Sequence, residues 1–228
     1  MSVKNKVLSL TAKGALTKLR EIERPVIKKA LIAINNAHME FENIIDFAQK
    51  ANADRRRTEY GREVVAAEYA SNRMKEVAAQ FDKSLEEIRS ALKRSDELID
   101  QSLREQSDTE RQHFAEIRAL VRAKTKSPAS VNLFVRSSDA VVGRAVLSAP
   151  LVLSNSDENE REKMTEMYLA KHEPGIYAER SDLTTAYGAL CDIGDAFNSR
   201  VMETVNFETL RDSRLVDSSS PGASADIH

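Results

Sequence analysis

A few side chains in this sequence have the types and spacing that chemistry could use. Glu110 and His113 are three residues apart, which puts a carboxylate and an imidazole on one helical face. Di-metal helical bundles hold their ions with such pairs, but each site needs a second Glu-x-x-His and further inward carboxylates. Neither His38 nor His172 has a glutamate three residues earlier. The His38–Glu42 pair, four apart, is the nearest substitute, so a solvated helix face is the simpler reading of Glu110 and His113. Cys191 stands beside Asp192 with no local base to activate it, and reads as a structural cysteine. All seven glycines are isolated, so no phosphate-cradling loop is present. Arg55, Arg56 and Arg57, with Lys50 and Arg62, form a basic cluster that could meet a phosphate-rich surface or simply line a solvated turn. No catalytic residue, cofactor or metal ligand is expected, and the chain reads as non-enzymatic.

The elements that would carry these residues are helical. Residues 26–127 contain no proline and one glycine, Gly61. Steps of four and three from Tyr60 reach Val64, Ala67, Ser71, Met74, Ala78, Phe81, Leu85, Ile88, Leu92, Ser95 and Ile99, mostly apolar between charged neighbours. That is the seam of a heptad helix. A second line, Ile27, Leu31, Ile34, His38, Phe41, Ile45 and Ala48, follows Pro25, a favourable first helical residue. The two lines are out of phase, and no large apolar residue falls between Phe47 and Tyr60, so a bend or hairpin is expected near 50–61, the alternative being one continuous helix with a solvated patch. Past Ile99 the heptad positions turn polar, and Ser107 with Glu110 reads as a capping box where a helix restarts.

The rest of the chain is more varied. Residues 1–24 form a basic amphipathic N-terminal helix, with Lys4, Lys6, Lys13, Lys18 and Arg20 beside an apolar face. It could pack on the bundle, lie on an anionic membrane, or act as a targeting presequence. Residues 25–127 are the long helical hairpin. Residues 128–155 read as an irregular apolar connector, with Val131, Leu133 and Val135 alternating as in a short strand; the stretch fits a buried connection, a short helix pair or a partner-binding patch equally well. Residues 156–211 hold two C-terminal helices, one starting at Ser156 and ending at Pro174–Gly175, the other starting near Ser181 or Asp182. Residues 212–228, rich in serine, read as a disordered tail.

Aromatics are only 5% of the chain, which suits stripe-like helical cores better than a round one. The net charge of -2 carries no bulk nucleic-acid signature, and no nucleic-acid partner is expected. A single cysteine points to a reducing, cytoplasmic setting, with the membrane periphery as the alternative, and neither a membrane span nor a secretory signal is expected. The fold class is all-α: an elongated helical bundle or antiparallel coiled coil with long helices. A narrow seam must meet a folded-back chain or a second copy, so a homo-oligomer, with a dimer favoured, is the first functional expectation. Val64, Met74, Phe81, Leu85, Ile88, Leu92 and Ile99 are its self-association residues. The leading function is a helical scaffold or assembly protein. The alternative is a membrane-surface module, similar in architecture alone to BAR domains, whose anionic contacts would be Lys4, Lys6, Lys13, Lys18, Arg20, Arg55, Arg56, Arg57 and Arg62. A metal-binding bundle comes third.

Overall fold

The computed structural model describes residues 10–151 and 157–219, with side chains at 14–151 and 157–215. Among the described residues the chain is 87% helical, with nine helices and no strand, an all-α bundle fold. The helices are α1 (Leu10–Arg20), α2 (Pro25–Ala53), α3 (Glu59–Leu103), α4 (Asp108–Lys124), α5 (Pro128–Ser137), α6 (Ala140–Leu147), α7 (Glu158–His172), α8 (Pro174–Thr204) and α9 (Phe207–Ser219). They form two compact units, one from Met1–Arg89 with Thr185–His228, the other from Ser90–Thr184.

In the first unit α2 turns back onto α3 across residues 54–58. Asp54 accepts a hydrogen bond from the Arg56 amide at 3.0 Å, and Thr58 accepts one from Gly61 at 3.1 Å, closing the turn and capping α3. The two helices run antiparallel, as their cross-links show. Phe47 stacks on Tyr69 at 4.0 Å, Asn36 meets Gln80 at 3.1 Å, and Lys29 pairs with Glu87 at 2.8 Å. Pairs move up one helix as they move down the other. α8 closes the core, with Phe197 edge-on to Phe41 at 6.4 Å and Tyr187 accepting from Arg89 at 2.9 Å. Leu16 and Leu19 of α1 are buried, so α1 is a packed first helix over its described length.

In the second unit Ile99 and Leu103 of α3 pack with Val121, Val131, Val146, Leu147, Met164 and Leu169. Ser107 accepts from the Glu110 amide at 3.1 Å and Glu110 accepts from Gln106 at 2.6 Å, so α4 starts where the sequence places a cap. Several boundaries differ from the sequence reading. The stretch 128–155 is no irregular connector: of the readings open for it, it takes the short helix pair, α5 and α6, and the alternation at Val131, Leu133 and Val135 is helical. The reason is local: Ser127 and Ser130 form a reciprocal capping box, with Pro128 in the first turn. Ser156 lies outside the described residues, and Asp157 caps α7 by accepting from the Glu160 amide at 2.8 Å. Pro174 ends α7 and also opens α8, seven residues before Ser181, because a first-turn proline needs no amide partner. From Asp212, expected as tail, the chain stays helical to Ser219; residues 220–228 lie outside the described ones.

α6 and α7 touch where a glycine is required. A Cβ at Gly143 would fall 2.6 Å from Tyr168 Cδ2 and 2.9 Å from Cε2. The ring is buried, and that burial raises the Tyr168 phenol above its ordinary pKa. Gly143→Ala should therefore destabilise the fold by about 1–3 kcal/mol in urea unfolding. Gly188→Ala is the control: nothing lies within 4 Å of that position, and stability should not fall. An unchanged midpoint for Gly143→Ala would show that α6 and α7 separate without cost.

Candidate interaction surface

The expected self-association residues of α3 divide by burial. Phe81, Ile88 and Ile99 are buried within the chain, while Val64, Met74, Leu85 and Leu92 are half-buried. The buried line of α3 passes through Ala67, Ala70, Val77, Phe81, Ser84 and Ile88, and Ala78, on the expected line, is exposed. It is shifted toward the side that carries Tyr69, Arg73 and Gln80. Those residues meet α2, so burial follows that neighbour rather than the bare heptad count.

The basic positions are spread out. Lys4 and Lys6 lie outside the described residues, and the Lys13 side chain does too; Lys18 and Arg20 are exposed on α1. Arg55, Arg56 and Arg57 are exposed in the α2–α3 turn, and Arg57 reaches Asp54 at 3.6 Å. Arg62 is turned to structure: its Nη1 donates to the Asn52 carbonyl at 2.7 Å, at the end of α2. Glu110 is also committed, pairing with Arg144 at 3.0 Å, and His113 is exposed. Among the described residues no group of three or more His, Cys, Asp or Glu could hold a metal ion. No described helix is long and apolar enough to cross a membrane.

The second unit gathers arginines around the end of α6. Arg161 donates to the carbonyls of Leu147 and Ala149, and Arg118 donates to Ala145 at 3.2 Å while pairing with Glu105 at 3.1 Å. Helix C-terminal carbonyls lack intrahelical donors, so these arginines act as caps. A cleft of about 660 Å³ beside them includes Arg104 and Arg111. Three of its four arginines, however, already hold carboxylates or carbonyls.

The surface missed by the sequence reading is the outer face of α2. Ile32 is 58% exposed and Met39 62% exposed, one heptad apart on a single line. The apolar pattern of α2 draws attention to the inward residues; Ile32 and Met39 fall off that register, and that misfit was the available signal. Beside Ile32 a groove of about 290 Å³ opens between α2 and α3, lined by Ala33, Asn36, Gln80 and Ser84. Lys28, Asn35 and Glu42 form the adjoining exposed column, again at heptad spacing. No family model matches this chain, and no curated protein or solved structure matches it.

His38 lies on the α1 side of α2. Burial lowers its pKa below the ordinary 6.5, opposed by Glu42 and assisted by Arg20. Its Nε2 is buried without a hydrogen-bond partner among the described residues. The unfolded chain binds this proton more readily, so the stability from neutral His38 is complete above about pH 6.5. It is lost as pH falls from there through the lower folded value. His38→Gln should flatten the fall in unfolding free energy between about pH 7 and pH 5.5. An equally steep fall in the variant would assign the effect to other groups.

Proposed function

We propose that this protein is a non-enzymatic helical assembly or scaffold protein that works by self-association, as a homodimer in the first instance. The exposed Ile32–Met39 line carries this reading. Scattered surface apolar residues are ordinary, but two large ones on one face beside a groove suit helix-to-helix packing. The surface lies on α2 because Phe81, Ile88 and Ile99 are already covered by their own chain. The non-enzymatic part is supported by Glu110, Arg118, Arg144 and Arg161, all held in structural contacts. Sedimentation velocity with light scattering tests the proposal. A concentration-dependent shift toward dimer is expected, abolished by Ile32→Lys with Met39→Lys at unchanged helicity. A monomer at high-micromolar concentration would sink it.

A second reading is favoured by one observation: Arg55, Arg56 and Arg57 are exposed together in one turn. Such a cluster can meet an anionic lipid surface. The leucines of α1 described here add nothing to it, since Leu16 and Leu19 are in the core. Vesicles containing phosphatidylserine should co-sediment the protein at low salt, and replacing all three arginines with alanine should release it. No binding at low salt removes this reading and leaves the first intact.

A further inference from the structure

The α2 surface has an order that a general sticky patch would lack. Its apolar column runs Ile32 then Met39, and the adjoining column runs Lys28, Asn35, Glu42, all exposed. The charge column is basic at one end, neutral in the middle and acidic at the other. Two copies of such a helix laid side by side in the same direction bring like charges together. Laid in opposite directions, they bring opposite charges together.

We propose that α2 pairs antiparallel with α2 of a second copy of this chain, about a two-fold axis beside Asn35; this rests on the self-association reading above. A two-fold interface is isologous, so each residue's partner follows from one axis. With the axis at Asn35, Lys28 of one copy faces Glu42 of the other, twice. The same axis brings Met39 of one copy within one residue step, about 1.5 Å along the helix, of Ile32 of the other. There the groove between α2 and α3, with small residues Ala33 and Ser84 in its lining, can take an unbranched methionine side chain. Lys28 also meets Glu23 of its own chain, so the partner's Glu42 adds a second carboxylate to a side chain that remains half exposed. The apolar column can be matched in either direction; the charged column selects the antiparallel one, and in that direction the two columns share nearly the same axis. Two apolar anchors per copy make this a weak pairing driven by concentration, at the small end of specific interfaces.

Charge exchange and cross-linking test the pairing in the full chain. Lys28→Glu and Glu42→Lys should each raise the dimer dissociation constant about fivefold, because each puts like charges together at both ends of the interface. The doubly exchanged variant should recover wild-type association, an outcome that a loss of folding could not give. In a Cys191→Ala background, Asn35→Cys should be joined into dimers by a short bismaleimide. Asp46→Cys should not, since two such residues would sit roughly 30 Å apart along the helices. If dimers form in solution but Asn35→Cys does not cross-link, or the double exchange does not recover, the α2 pairing is overturned and self-association stands by another surface. Efficient cross-linking at both positions overturns the antiparallel direction. A monomer throughout overturns both proposals.

Discussion

A helix of 45 residues with its apolar side chains on one narrow line must have that line covered at every turn, and α3 sets this demand for the whole chain. Different neighbours meet it along the way. Up to Arg89 the cover comes from α2 and from the part of α8 after Thr184, through Phe47 on Tyr69 and Tyr187 on Arg89. Beyond that point Ile99 and Leu103 join a core built from α4 to α7. The polar residues between these contacts explain why α3 is far more charged than a helix buried on all sides. Burial supplies most of the stabilisation, and the surface ion pairs add little each.

The second unit has a further constraint, because short helices leave many backbone groups without partners. α6 has eight residues, so half of its carbonyls lack an intrahelical donor. A carbonyl buried without a donor costs about 1–3 kcal/mol. Arg118 from α4 and Arg161 from α7 supply donors there, and Arg144 of α6 itself reaches the Arg104 carbonyl at the end of α3 at 3.1 Å, with its guanidinium over Phe114. Much of the arginine in this region is therefore a hydrogen-bonding frame. A count of charges along the sequence cannot distinguish such a frame from a site that binds anions.

The sequence showed most where a rule is local. Pro25 opened α2, the phase change before Tyr60 marked the turn, and Ser107 with Glu110 marked the start of α4. The same rules hold at Ser127–Pro128 and at Pro174, where a proline that follows one helix also begins the next. Val131, Leu133 and Val135 looked like a strand because alternate residues in a short apolar run fit either period. The outer face of α2 was harder to see, since amphipathic patterns emphasise the face that is buried. Which side of α3 faces α2 is a tertiary fact, and only the contacts of Tyr69, Arg73 and Gln80 reveal it.

The first unit is assembled from two separated segments of chain, whereas the second is continuous from Ser90 to Thr184. Synthesis runs in one direction, so the second unit has all of its residues before the first has its closing helix. Phe41 emerges long before Phe197, on the order of ten seconds at about 5–20 residues per second. During that interval the α2–α3 hairpin holds an apolar face that α8 has yet to reach. The nascent chain is thus exposed to wrong partners through the α2–α3 hairpin, and the arrival of α8 ends that exposure.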